Sequence, residues 1–307
     1  MTYALRTYRV TKSYQGNEVV SEVSMNIRRG EIYGFLGPNG AGKTTLMKMM
    51  TNLVKPTSGE IEILGQKLTD TSYELLGRMG SIIEYPIFYD KLTARENLDL
   101  HCEYMGYHDK KAIDEALELV NLRGIDKKTV KDFSLGMKQR LGIARAITTK
   151  PELLLLDEPI NGLDPIGIKE LRDLFRMLSR EYGITLLISS HMLGEIEQMA
   201  DTIGVINHGK LLAEVGMAEV REQNAAYIEI VTANSQHAVF VLENKMNLTN
   251  LRLMNEQVIR VYDTDLPQNE IAKTLIMNEV IIESIHKKNH SLEDYFLNLL
   301  NGGGIHA

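Results

Sequence analysis

The 307-residue chain has no tryptophan, a single cysteine and only seven prolines. One cysteine, Cys102, excludes an internal disulfide and suits a reducing compartment. Long apolar runs are also missing. Nothing approaches the roughly 18 residues that a bilayer-spanning helix needs, and the opening MTYALRTYRVTKSY lacks the apolar stretch of a signal peptide. The runs LLLL (Leu153 to Leu156) and ITLLIS (Ile184 to Ser189) are short enough to be buried strands. The chain is therefore expected to be soluble by itself, with any membrane role supplied by a partner. Basic residues are outnumbered, 34 to 41, leaving a formal net charge of −7. That balance argues against broad attraction to nucleic acid. No internal repeat or low-complexity tract occurs, and the terminal NGGG reads as a frayed end.

What is present is ordinary globular material, 44% hydrophobic and 24% charged, in a length that holds one large and one small domain. VVSEVSMNI and IEIL read as strands, and EIYGFLG as a strand feeding a helix over Gly42 to Leu53. Residues 68–130 are expected to be mainly helical, with Ile113, Ala116, Leu117 and Val120 on one face. PELLLLDEP and ITLLISSH read as buried strands separated by the helix PIGIKELRDLFRMLSREYG. Strands apolar on both faces, alternating with helices, predict an α/β domain with a parallel sheet covered by helices. IGVINHGKLLAEVG predicts a closing hairpin turned at NHG. Beyond a boundary at Gly216 to Arg221, a βαββαβ order and a capped helix SLEDYFLNLL predict a small α+β domain. The expected division is 1–216 and 217–307.

The chemistry is concentrated in five short stretches. GPNGAGKT, from Gly37 to Thr44, matches the phosphate-loop pattern between a strand and a helix. Its glycines let backbone N–H groups face phosphate oxygens, with Lys43 reaching the β- and γ-phosphates and the Thr44 hydroxyl coordinating Mg²⁺. LLLLDE ends a buried strand with two carboxylates. Asp157 is placed to hold Mg²⁺ through water, and Glu158 to polarise a water aimed at the γ-phosphate. His191 closes LLISSH at another strand end, within reach of the γ-phosphate; a solitary histidine is more often structural. Tyr14 in TKSYQG offers a ring to adenine, although a loop tyrosine usually packs on its own domain. Finally DFSLGMKQRLGIARA, Asp132 to Ala146, places a second anion-binding helix start in a chain that already has one.

Over about 216 residues this content and order resemble the ATP-binding subunit of an ABC transporter. The resemblance implies a P-loop NTPase domain with an antiparallel β subdomain and a helical subdomain. It gives Tyr14 the adenine-stacking position. It gives Gly37, Pro38, Asn39, Gly40, Ala41, Gly42, Lys43, Thr44 and Thr45 the Walker A loop, and Leu153 to Asp157 the Walker B strand. Glu158 falls at the catalytic glutamate, Asn161 to Asp164 at the D-loop and His191 at the switch histidine. SLGMKQ is similar to the family signature loop. In the family that loop grips the nucleotide held by a second subunit, which explains two helix starts and implies a dimer with two composite sites.

Two positions depart from the family pattern. Met137 stands where the signature usually has a second glycine, while Ser134 and Gly136 are retained. Glu84, in SIIEYPIFYDKLTAREN, stands where the Q-loop usually has glutamine, in a loop that in the family reaches the Mg²⁺ region and borders the groove for the membrane subunit; its carboxylate is therefore expected among the Mg²⁺ residues with Thr44 and Asp157. Both features resemble the bacitracin-resistance and lantibiotic-immunity branch. The implied protein is an ATPase, using ATP and Mg²⁺, that drives peptide-antibiotic export. It would act with a second ATPase subunit and a separate membrane-spanning permease at the cytoplasmic face of the membrane. A soluble ABC protein acting on nucleic acid or ribosomes would carry two cassettes or a long coiled coil, and neither is present. A non-hydrolysing regulator would not need Lys43, Asp157, Glu158 and His191 together. The 217–307 region supplies no recognisable catalytic set.

Overall fold

The computed structural model describes residues 2–125, 128–223, 227–262 and 266–288. The chain divides into two compact units, Met1–Met217 and Ala218–Ala307.

The first unit holds two sheets. Strands β1 (Tyr3–Tyr14) and β2 (Asn17–Arg28) form a hairpin, β3 (Ile32–Leu36) leads into α1 (Lys43–Met50), and β4 (Ser58–Ile63) precedes the short β5 (Gln66–Lys67). Strands β1, β2, β4 and β5 make an antiparallel sheet in the order β2-β1-β4-β5. After α2 (Tyr73–Gly77) come β6 (Met79–Ile82), α3 (Ala94–Tyr104), α4 (Lys110–Leu119), α5 (Leu135–Ile147) and β7 (Leu153–Asp157). They are followed by α6 (Pro165–Arg180), β8 (Thr185–Ser190), α7 (Leu193–Met199), β9 (Thr202–Asn207) and β10 (Lys210–Gly216). The main sheet has the order β10-β9-β3-β8-β7-β6, parallel except for the β10 edge. The β9–β10 hairpin turns at His208 and Gly209, both with positive φ, as a two-residue primed turn requires.

Helix α1 is held by both sheets. Its Leu46, Met47, Met49 and Met50 are fully buried in one cluster with Val10, Met25 and Ile63 of the antiparallel sheet and Phe35, Leu155 and Leu187 of the parallel one. Burying each such side chain is worth about 1.5–3 kcal/mol. The phosphate loop therefore stands on a rigid foundation. Helix α6 is fixed by a different logic: Asp164 caps it, Pro165 opens it, and Leu171, Leu174, Phe175 and Leu178 bury one stripe.

Three sequence expectations change. The first strand, β1, is not among the expected elements; Arg6, Arg9 and Lys12 are interspersed with its buried Ala4, Leu5, Thr7 and Val10. The stretch 68–130 is not all helical, because β6 runs within it. Strand β6 is only four residues long and depends on Gly80, where a Cβ would sit 2.0 Å from the Ala146 carbonyl oxygen of α5. Helix α1 stops at Met50, short of Leu53, as Asn52 takes a left-handed conformation.

The second unit contains α8 (Met217–Gln223) across its start, then β11 (Tyr227–Thr232), α9 (Ser235–Met246), β12 (Leu251–Leu253), β13 (Val258–Val261), α10 (Gln268–Met277) and β14 (Ile282–Lys288). Its sheet is antiparallel in the order β12-β13-β11-β14, the arrangement that a βαββαβ chain adopts. Ile228, Ile230, Ile259 and Val261 pack under Val241, Leu242, Ile271 and Leu275 of the two helices. The expected SLEDYFLNLL helix lies outside the described residues. Among the described residues no helix is long and apolar enough to cross a membrane.

Candidate functional site

Strand β3 is buried along all five residues and stops at Leu36. The Gly37 N–H donates to the Ser190 carbonyl at 3.3 Å, tying the loop to the end of β8. A Cβ on Gly37 would meet the Ile206 carbonyl oxygen at 2.3 Å, and one on Gly42 the Val19 carbonyl oxygen at 2.7 Å. Gly42 also has φ 105°, so no other residue fits that place. Pro38, Asn39 and Gly40 are exposed and Ala41 is buried, so the loop is anchored at its ends and open between them. Helix α1 starts without a side-chain cap, leaving its first N–H groups free to meet an anion. The Lys43 side chain is buried, with Nζ donating to the carbonyls of Gly37 at 2.6 Å and Pro38 at 3.2 Å.

The pairing of β7 with β8 sets Asp157 opposite Ser189. The Ser189 hydroxyl donates to Asp157 Oδ1 at 2.6 Å and accepts the Glu158 N–H at 2.9 Å. The Thr44 hydroxyl donates to Asp157 Oδ2 at 2.7 Å. Asp157 is thus joined on one side to the phosphate-loop helix and on the other to β8. Glu158 has φ 49°, a left-handed conformation that turns its side chain away from the strand direction. Its Oε2 lies 2.9 Å from His191 Nδ1, and its buried Oε1 has no hydrogen-bond donor. The same Oε1 is 3.3 Å from Lys43 Nζ, an ion-pair distance whose angle does not make a hydrogen bond.

These groups suit a small hard cation. A threonine hydroxyl and an aspartate carboxylate are oxygen donors of the kind Mg²⁺ takes, usually from one or two protein groups plus phosphate and water. No group of three or more acidic, histidine or cysteine side chains able to hold a metal occurs among the described residues.

Other predicted residues stand apart from this cluster. Ser134 caps α5, accepting the Met137 N–H at 3.3 Å, and is exposed. The hydroxyl of Ser134 is thus engaged within its own helix start. Tyr14 ends β1, is 47% exposed and has the Lys12 ammonium 4.9 Å from its ring centre. Glu84 follows β6 with φ 63°, and its carboxylate meets Lys48 Nζ at 2.6 Å rather than Thr44 or Asp157. It nevertheless borders a cleft shared with Tyr85, Leu135, Asp157, Glu158 and Asn161. In the Asn161–Asp164 stretch, Asp164 is committed to capping α6. Two participants escaped sequence reasoning: Ser189, which looked like any small residue of a buried strand, and Lys48, whose spacing of four from Thr44 was the available signal.

The family model described as ABC transporter matches residues 20–161. The chain is 68% identical over its whole length, and that of the relative, to the uncharacterized ABC transporter ATP-binding protein YcbN of Bacillus subtilis. It is 47% identical to the bacitracin transport ATP-binding protein BcrA of Bacillus licheniformis, over 99% of this chain and 100% of that one. Among solved structures, a dimeric ATP-binding cassette in a post-hydrolysis state with ADP and Pi aligns with a TM-score of 0.64 at 26% identity, over 69% of this chain and 98% of the other. The chain belongs to the ABC transporter family as an ATP-binding subunit, and its activity is ATP hydrolysis.

Proposed function

We propose that this subunit powers the export of a peptide antibiotic, or a similar amphiphile, through a separate membrane-spanning permease. The observation that carries the chemical part is the convergence of Thr44, Asp157, Ser189, Glu158, His191 and Lys43 at the ends of β3, β7 and β8. The observation that supports the cargo is full-length similarity to the bacitracin transport ATP-binding protein.

Thr44 and Asp157 would hold Mg²⁺, which supplies charge neutralisation of the β- and γ-phosphates. Lys43, poised on two loop carbonyls, turns its ammonium onto phosphate oxygens. Glu158 takes the proton of the attacking water on Oε1, the carboxylate oxygen with no hydrogen-bond donor, while His191 orients the other oxygen. Tyr14 offers its exposed ring to adenine. Ser134 and Gly136 serve the nucleotide of a second ATPase subunit, since they stand on the exposed start of α5. The permease has a candidate seat in the groove lined by Tyr73, His101, Tyr104, Met105 and Arg145, where Tyr73 and Tyr104 are more than 70% exposed. Such a complex holds the subunit at the cytoplasmic face of the membrane.

The test is resistance. Co-expression with its cognate permease in a sensitive host should raise the inhibitory concentration of bacitracin or a lantibiotic, and Lys43→Ala should abolish the gain. Unchanged susceptibility to both peptide classes, with the complex assembled and hydrolysing ATP, would refute the cargo.

A further inference from the structure

The Glu84–Lys48 ion pair joins α1 to the loop that follows β6. Lys48 and Thr44 are four residues apart on α1 and share one face of that helix. Thr44 donates to Asp157 from that face at 2.7 Å, while Lys48 reaches Glu84 Oε1 at 2.6 Å. Glu84 sits where the chain leaves β6 for a loop carrying Tyr85 and Ile87, 76% and 82% exposed. Its φ of 63° is a conformation that a non-glycine residue keeps only when its surroundings hold it. Glu84 also borders the cleft that contains Asp157 and Glu158. A free carboxylate here would add a third negative side chain beside a polyphosphate.

We propose that Lys48 is a positioning residue for Glu84: its ammonium holds the Glu84 carboxylate one helical turn beyond Thr44, neutralised beside the nucleotide and outside the metal shell. The proposal rests on the reading of Thr44 and Asp157 as the Mg²⁺ groups. It assigns a purpose to the acid at position 84, because an amide there could not pair with a cation in this way.

The experiment measures binding of the fluorescent analogue TNP-ATP to the full chain, once with Mg²⁺ and once with EDTA. Lys48→Met frees the carboxylate, which repels metal-free nucleotide and attracts the cation. The ratio of Kd in EDTA to Kd in Mg²⁺ should rise roughly three- to tenfold, the size of one screened charge near the surface. Lys48→Arg should restore the wild-type ratio. The double variant Glu84→Gln with Lys48→Met lacks both charges and, like the intact pair, is neutral, so its ratio should return to within about twofold of wild type. A double variant whose ratio stays as high as that of Lys48→Met alone would overturn the proposal by showing that Lys48 acts on the nucleotide directly. No shift on Lys48→Met alone would overturn it as well. Lys43→Ala separates the two levels: if it too leaves binding intact, the nucleotide-loop reading itself has failed, whereas a Lys43 effect without a Lys48 effect removes the pairing alone.

Discussion

Replacing Glu158 by glutamine changes one charge and almost no volume. The amide keeps an oxygen and a nitrogen where the carboxylate had two oxygens, so a hydrogen bond to His191 survives in one rotamer. The ion pair with Lys43 at 3.3 Å is lost, with the two side chains 6% and 21% exposed. Lys43 still donates to the Gly37 and Pro38 carbonyls, so its charge is not orphaned, and the stability cost should stay near 1–2 kcal/mol. The rate should fall much further. Losing a positioned proton acceptor costs about 10²- to 10⁴-fold, or about 3–5 kcal/mol of barrier. Nucleotide affinity should hold or tighten, because one negative charge has left the neighbourhood of a polyanion. The variant should therefore accumulate as an ATP-bound dimer. Steady-state hydrolysis at saturating Mg-ATP, with size-exclusion chromatography with and without ATP, reads both effects. A rate within about threefold of wild type would refute Glu158 as proton acceptor.

Two further outcomes follow from particular contacts. Ser189→Ala leaves Asp157 Oδ1 and the Glu158 N–H without their shared partner, so a loss of about 1–3 kcal/mol by urea denaturation should accompany a fall in kcat; wild-type values of both would contradict that role. Burial, and next the nearby Arg145 cation, hold the His101 pKa down to about 4 from 6.5. The unfolded chain then takes up the proton first, so stability is unaffected above that range and declines as pH falls from about 6.5 towards about 4, by about 1–2 kcal/mol after solvent screening. His101→Gln should flatten that acid decline in urea midpoints, and parallel curves for the two proteins would exclude it.

What could be read from the sequence was whatever is contiguous. The phosphate loop is legible because its glycines answer local demands, the φ of 105° at Gly42 and the closeness of the Ile206 carbonyl to Gly37. Leu153 to Asp157 is legible because a strand buried on both faces must be apolar and then end in its acids. Strand β6 was hidden by its length of four residues and a glycine that serves the packing of α5. Strand β1 was hidden because its bulges break the alternation that marks a half-buried strand. Ser189 and Lys48 escaped for another reason. Their partners are 32 and 36 residues away, and only the β7–β8 register and the α1–β6 approach bring them together. Glu84 was legible as a departure from the family pattern, but its cation was not. The second unit was legible as element order, since short apolar strands and two amphipathic segments admit few packings.

The central claim is that each nucleotide is handled by the phosphate loop of one chain and the Ser134–Gly136 helix start of another. Mixing chains carrying Lys43→Ala with chains carrying Ser134→Arg tests it most directly. Each parent homodimer has two broken sites, whereas each mixed dimer has one intact site and one doubly broken. Hydrolysis by the isolated heterodimer should recover to a substantial part of the wild-type rate while both parents stay near background. A confirmed heterodimer no more active than either parent would contradict the shared site.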